Sequence, residues 1–509
     1  MQSSHTDYLN NNLNLIISEV KDYLISLNPN VRNSPKNSQD KLAYSIKFLI
    51  TNILSVPINS SIPIAKSAGS YSESSTDYNP NLSYRLTVQQ AYKALIALKY
   101  LKQTKNGWYK RPETHSGYRK DKNKTGERSQ YAATPKLLKL FEDQIEVLPV
   151  ILPPKDIVDA VRVQKANRKK GPNGAKLPAI RLKPFKSLQK RVAVMSNNLA
   201  RINQTLNRHW IDLEVPDADT DTSPDLLERL AKHCLPDAAE KLKQWAEEGR
   251  TIPFYNRQIY RVFNDRELTL GGRFYGGWWM TTPSVLRPYI LIDGKRTVEV
   301  DYGSIHPTIL YALEGLERPT DAYDGILRQL PNEIKDAARS VVKTAFMAML
   351  NSASRLYQKP ENISFEDLKM IGMRWPKLRD AIEERHPAIA QYFGTGIGSQ
   401  LQKIDSDIAE RVMLHFADMN IPILPIHDSF IMHHGYEKEL REVMDQAFKD
   451  VTGKHPRIDL TRRQLVDTDT VPVDLSLEAI LKANNWSCYK RFEAFTSLKY
   501  RLTAIKGTI

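Results

Sequence analysis

Cysteine is almost missing from the chain: Cys234 and Cys488 stand alone and far apart in 509 residues. Two isolated thiols exclude a thiolate metal site and argue against a disulfide framework, so a reducing interior is the natural compartment. No uninterrupted apolar stretch reaches the roughly 18 residues that a membrane-spanning helix needs. The opening Met1-Gln2-Ser3-Ser4-His5-Thr6-Asp7 lacks the basic region and apolar run of a secretory signal. A cytoplasmic chain without membrane contact is the expectation, nucleoid-associated if the host is bacterial. Internal repeats are lacking too, and Gly271-Gly272-Arg273-Phe274-Tyr275-Gly276-Gly277 does not end in the Lys-Ser/Thr of a phosphate-binding loop. Nucleotide hydrolysis of that kind is not indicated.

Acidic charge is in short supply, with 58 Asp and Glu against 73 Lys and Arg and a net charge of +15. That balance suits a polyanionic partner, nucleic acid first. An ordinary basic surface would give the same total, so clustering has to decide. At 41% hydrophobic and 26% charged residues the composition is globular, and the length predicts two or three compact units.

Helical periodicity runs through Leu13, Ile16, Ile17, Val20 and Leu24, and again through Tyr44, Phe48 and Leu49. A helix from Thr87 through Leu98 leads into strand-like Tyr100-Leu101 and Trp108-Tyr109. A second strand at Gln130–Ala133 precedes a helix start at Thr134-Pro135, with Thr as cap and Pro at the first position. Helix, two strands and a basic loop between them resemble a winged helix. Between Lys99 and Arg128 there are ten Lys or Arg and three acids, interleaved with Trp108, Tyr109 and Tyr118. Lys110, Arg119, Lys120 and Arg128 are the candidate phosphate contacts there; a solvated loop is the other explanation. Residues 1–145 thus form a candidate nucleic-acid-binding unit and 146–186 a basic, Pro/Gly-containing linker. Residues 187–270 read as a thumb-like helical region, including helices over Leu188–Leu213 and Leu226–Trp245.

The chemical signals lie in residues 271–509. Val298-Glu299-Val300-Asp301-Tyr302 alternates before Gly303-Ser304, which puts Asp301 at a strand end. Ile423 to Met432 is an apolar run broken by His427-Asp428, as in a hairpin with a polar tip. Apolar flanks make an idle ionised carboxylate costly. Two such acids brought together repel unless cations lie between them. A pair of Mg²⁺ ions, for which Mn²⁺ could substitute, supplies that charge.

Asp301-Tyr302-Gly303-Ser304-Ile305-His306, Arg339 to Asn351, and His427-Asp428-Ser429 resemble, in this order, motifs A, B and C of the A-family DNA polymerases and the single-subunit phage RNA polymerases. The likeness covers about Gly271 to Phe448. Ser304-Ile305-His306-Pro307-Thr308-Ile309 also resembles motif A of B-family enzymes, but His427-Asp428-Ser429 does not fit that family. The resemblance implies an α+β right-hand architecture: a palm with an antiparallel sheet, fingers and thumb-like helices. It also implies catalytic Asp301 and Asp428, with the Tyr302 backbone carbonyl as a further metal ligand. Arg339 and Lys343, i and i+4 on one helix face, would hold the triphosphate together with Met347. Arg273, Gln402 and His427 would meet the primer-template, Gln402 through the minor groove; Asp407, five residues after Gln402, completes an A-family pattern.

Sugar choice in these families depends on the residue five after the first Asp, here His306. A bulky imidazole predicts exclusion of a 2′-hydroxyl. Against this, Ser429 matches the RNA polymerases, and Asn351-Ser352 stands where Tyr-Gly is expected. No acidic cluster for a proofreading nuclease is evident before residue 250. The expected activity is a DNA-directed DNA polymerase of a phage or mobile element, acting on DNA template-primer and nucleoside triphosphates. Two other readings stay open: an RNA polymerase or primase with the same palm, and a non-catalytic winged-helix regulator.

Overall fold

The computed structural model describes residues 5–54, 61–64, 81–106, 108–109, 126–127, 129–142, 160–165, 179–213, 231, 236–247, 252, 254, 256–319, 321–323, 325–327, 334–461, 492 and 495–496. Cys234, Cys488, Lys110, Arg119, Lys120 and Arg128 lie outside the described residues.

Two helices, α1 (His5–Leu27) and α2 (Lys36–Leu54), open the chain. Leu13, Ile16, Val20 and Leu24 are buried on the first, and Leu42, Ile46, Leu49 and Ile53 on the second, at the spacing of an apolar helix stripe. Strand β1 (Ile62–Pro63) comes next, then a π-helical stretch (Tyr84–Tyr92) that runs into α3 (Lys93–Ala97). The strands β2 (Leu101–Lys105), β3 (Trp108–Tyr109), β4 (Gly126–Glu127) and β5 (Gln130–Ala133) precede α4 (Pro135–Lys139). The Thr134 hydroxyl accepts from the Leu137 amide and donates to the Lys99 carbonyl at 2.6 Å, so one side chain caps α4 and ties it to the strand before it. Strand β5 pairs antiparallel with both β1 and β2. Two residues are too few to show a period, so β1 has no sequence signature.

The remaining elements are β6 (Val161–Lys165), β7 (Ile180–Leu182), α5 (Gln189–Arg208), β8 (Ile211–Leu213), α6 (Pro236–Glu247), β9 (Tyr260–Phe263), β10 (Gly271–Tyr275), β11 (Ile290–Ile292), β12 (Lys295–Tyr302), α7 (Ile305–Leu313), α8 (Lys335–Asn351), α9 (Phe365–Met370), α10 (Trp375–Arg385), α11 (Gly398–Asp418), β13 (Leu424–Ile426), β14 (Ser429–His433), α12 (Glu437–Thr452) and β15 (Ile458–Thr461). A four-stranded sheet runs β10-β9-β6-β7, and a six-stranded sheet runs β13-β14-β12-β11-β8 with β15 also on β12. The larger sheet is antiparallel throughout; the smaller contains one parallel pair, β6 with β9. The fold is α+β.

Three boundaries read from sequence need correction. The stretch 146–186 is more than a linker, because β6 and β7 within it belong to the four-stranded sheet. A division between 270 and 271 cuts the β9–β10 hairpin. The helix expected over Leu188–Leu213 ends at Arg208, and Ile211–Leu213 leaves it to become the edge strand beside β11. Short strands inside polar text gain their identity from partners far along the chain, which local composition does not carry.

Local chemistry shapes the six-stranded sheet. Asp293 and Gly294 both have positive φ, +52° and +73°, at the two-residue turn between β11 and β12, the conformation an Asp-Gly hairpin favours. At the hairpin joining β13 to β14, His427 has φ +57°. The Trp279 indole donates to the Pro425 carbonyl at 3.2 Å and fastens that hairpin from below. Trp210, Phe254, Trp278 and Phe495 pack ring to ring at 5.3–6.1 Å, an aromatic cluster that brings a residue near the carboxyl terminus onto the core. Among the described residues, no helix is long and apolar enough to cross a membrane.

Candidate active site

Strands β12 and β14 bring the two predicted carboxylates together. Asp301 is opposite Ser429 in antiparallel register, and the Tyr302 amide donates to the Asp428 backbone carbonyl at 3.2 Å. Asp428 therefore sits at the hairpin tip beside the end of β12. On the other side of β12, Asp459 of β15 is also opposite Asp301. The Asp301 carboxyl is pushed up to about 6, first by burial, then by the negative charges of Asp428 and Asp459; Lys343 pulls it down and Glu299 adds to the rise. Its Oδ1 is buried and has no hydrogen-bond partner among the described residues. An unsatisfied buried carboxylate oxygen costs about 1–3 kcal/mol or more, so a cation at this place would relieve both the desolvation and the mutual repulsion.

The donor set fits a hard divalent ion: two carboxylates and the Tyr302 carbonyl are all oxygen. Among the described residues no group of three or more His, Cys, Asp or Glu side chains is arranged to hold a metal. Mg²⁺ sites of one or two carboxylates completed by substrate phosphates and water match that deficit.

Ser429 donates to Glu299 at 2.7 Å, and Arg287 does so at 2.8 Å. Glu299 lies two residues before Asp301 on the same strand face. The Ser of the third motif thus holds a neighbouring carboxylate in place. Asp459 takes a 2.7 Å bond from Arg457, and a side chain at Gly303 would come within 2.6 Å of Asp459 Oδ2. Neither Glu299 nor Asp459 stood out in the sequence; the i, i−2 spacing from Asp301 could have flagged the first, whereas no local signal marks the second.

Helix α8 carries the predicted cations. Its buried face, Val342, Ala345, Phe346 and Met349, packs through Phe346 against His386 and Tyr323 at 5.3 and 5.7 Å. His386 donates from Nε2 to the Ala322 carbonyl at 2.6 Å and accepts at Nδ1 from the Tyr311 hydroxyl at 3.0 Å, locking α7 to this base. Arg339, Lys343 and Met347 remain on the less buried side. Lys343 is exposed and near enough to Asp301 to lower its pKa. Arg339 donates to Asp321 at 2.9 and 3.2 Å and lies over the Tyr323 ring at 5.2 Å. Burial pushes the Tyr323 hydroxyl up to about 12, against the pull of its bond with Ser304 and the charge of Arg339. Ser304 adopts φ +55° at the start of α7, a costly conformation for a non-glycine residue.

His306, in the first turn of α7, is buried, and its Nε2 lies 3.1 Å from Asp405 Oδ2. Arg273 of β10 donates to the same oxygen at 2.6 Å and lies 3.3 Å from His306 Nε2. Arg273 is thus paired with Asp405, its side chain 20% exposed. Asp405, which the sequence reading passed over, is i+4 from Leu401 and i−3 from Ile408, so a carboxylate interrupts the buried stripe of α11. Gln402 is half-buried and makes no side-chain hydrogen bond among the described residues. Asp407 is bound to Arg261 at 2.9 Å and to Lys403. At the hairpin tip the His427 ring meets Tyr275 edge-on at 5.9 Å, and desolvation followed by the Arg273 charge lowers its pKa. Gly272, with φ +85°, would place a Cβ 2.8 Å from Phe263 and 3.0 Å from Ser406. The close approach it permits is of β10 to α11.

No known protein family and no curated protein matches the chain. Among solved structures it is similar to the "POL domain of Pol1 from M. smegmatis complex with DNA primer-template and dNTP", with 11% identity and a TM-score of 0.28, over 54% of this chain and 65% of that one. The match spans less than two thirds of that chain's length, and a likeness at this TM-score decides nothing about function.

Proposed function

We propose that the chain is a template-dependent nucleotidyltransferase, a DNA-directed DNA polymerase working at Asp301 and Asp428. One observation carries this reading: the buried, unpartnered Asp301 Oδ1 beside a second carboxylate, with Lys343 of α8 close by. Asp301, Asp428 and the Tyr302 carbonyl would hold Mg²⁺ or Mn²⁺. When bound, a pair of such ions would activate the primer 3′-hydroxyl and offset the charge of the triphosphate. Lys343 is the cation available to the phosphates, and Arg339 joins it by exchanging Asp321 for a phosphate oxygen, neutralising charge that develops on pyrophosphate. Met347 lies one turn further along the same side. His306 would restrict the space at the ribose 2′ position, and His427, Gln402 and Arg273 would meet the primer-template. The amino-terminal helices with the β1-β5-β2 sheet are read as a winged helix, whose basic loop recruits DNA.

The test is primer extension by the full chain and by Asp428→Ala, with deoxynucleotides and ribonucleotides supplied separately on primed and unprimed templates. Extension of a primed template by dNTPs that falls at least about 10³-fold in Asp428→Ala is the expected result. Synthesis from ribonucleotides on unprimed template would assign an RNA polymerase or primase instead. DNA binding without synthesis under any condition would leave a regulator.

A further inference from the structure

Resting on the polymerase reading, we infer that Asp405 is a positioning residue for sugar selection, acting through His306 and braced by Arg273. The Asp405 side chain is 1% exposed, and a carboxylate so buried requires cationic or hydrogen-bonding partners. It has two, both on Oδ2: Arg273 at 2.6 and 3.2 Å and His306 Nε2 at 3.1 Å. Arg273 only donates and a carboxylate oxygen only accepts, and Nε2 lies 3.3 Å from the one and 3.1 Å from the other, so this ring nitrogen is engaged in either tautomer. That contact fixes the ring about its side-chain torsions. The three residues come from β10, α7 and α11, so the ring is held by elements on different sides of the site.

Two polar atoms in this cluster, His306 Nδ1 and Asp405 Oδ1, are buried with no hydrogen-bond partner among the described residues. His306 is 96% buried, from a relative exposure of 4%. Folding that leaves a ring nitrogen buried and unpaired points to a partner supplied from outside, for which the proposed function offers the 3′-hydroxyl or a phosphate oxygen of the nucleotide. A single bulky side chain that could swing aside would discriminate weakly. An imidazole clamped at Nε2 and presenting Nδ1 excludes a 2′-hydroxyl by position as well as by size. Asp405 touches no reacting atom in this scheme; it decides where His306 stands.

The experiment measures kcat and KM for dNTP and rNTP in a cycle of wild type, Asp405→Asn, His306→Ala and the double variant, on one primed template. The expected result is that Asp405→Asn lowers the dNTP preference by about tenfold, mainly through better use of rNTP, and that the same change made in His306→Ala adds nothing further. Preference unchanged in Asp405→Asn while dNTP extension persists overturns the clamp and leaves the polymerase reading intact. Equal losses for both sugars, additive with His306→Ala, also overturn it, since that pattern marks a purely structural carboxylate. Absence of synthesis by wild type removes both. Should Asp405→Asn fail to fold, the imidazole ¹⁵N shifts of wild type, assigned with His306→Gln, decide. A single fixed tautomer supports the clamp, and averaging between tautomers like that of a free imidazole overturns it.

Discussion

Asp301 is an unusually weak acid, first because it is buried and then because Asp428 and Asp459 face it from the two sides of its strand, and the sign of the effect is measurable. Its carboxyl titrates near 6 in the fold against an ordinary 3.8, so the folded chain binds that proton more tightly than the unfolded one. The stability it contributes when protonated is complete below about pH 4 and lost as pH rises through about 6. Asp301→Asn is therefore expected to stabilise the metal-free protein at pH 7.5 by on the order of 1–3 kcal/mol and to change little at pH 3.5. Thermal melts at the two pH values check this, and equal destabilisation at both would contradict it. In the proposed function, Mg²⁺ raises the melting temperature of wild type more at pH 7.5 than at pH 5, because protons compete for the same oxygens. Asp301 and Asp428 were legible because each interrupts an apolar run. Asp405 and Asp459 were not, since an acid in helical or strand text acquires meaning only from what faces it.

At the scale of elements, Arg261 locks β9 and β10 onto α11. Its guanidinium is 1% exposed and donates to the Gly272 carbonyl at 2.8 Å, Glu410 at 2.8 Å, and Ser406 and Asp407 at 2.9 Å each. Removing one partner of a buried ionic network leaves uncompensated charge behind and typically costs about 3–5 kcal/mol. Arg261→Leu is expected to lose that much in urea unfolding. A loss below about 1 kcal/mol would show that Glu410 and Asp407 are satisfied without it. Read locally, Tyr260-Arg261-Val262-Phe263 puts Arg261 on the strand face of Phe263, and nothing nearby tells what would meet its charge there. Its side-chain partners are 145 to 149 residues away, and no window of sequence spans that distance. Helix α8 was the opposite case: cations at i and i+4 opposite a continuous apolar face define both its conformation and its orientation.

For the whole molecule, the excess of basic residues, +15 net, has one dense expression between Lys99 and Arg128, with ten Lys or Arg against three acids. In the proposed function this loop contacts phosphates, and each neutralised phosphate contributes about −0.9 to the slope of log affinity against log salt. Replacing Lys110, Arg119, Lys120 and Arg128 with Ala in the full chain should flatten that slope by roughly 3.6 units, across all duplex sequences alike. Fluorescence anisotropy at several salt concentrations measures it, and an unchanged slope would move the DNA-binding surface elsewhere.

Sequence alone determined the order of the helices and strands that carry strong periodicity, the Thr134-Pro135 helix start, the polar tip of the β13–β14 hairpin and the pair of carboxylates at strand ends. These follow from interactions within a few residues of one another, which the chain writes locally. Tertiary structure decided the rest: that Val161–Lys165 and Ile180–Leu182 are sheet rather than linker, that Ile211–Leu213 is an edge strand, and that Asp405 joins Arg273 to His306. Strand pairing and buried charge satisfaction are contacts between distant segments, and their free energy depends on partners that no local stretch of residues contains.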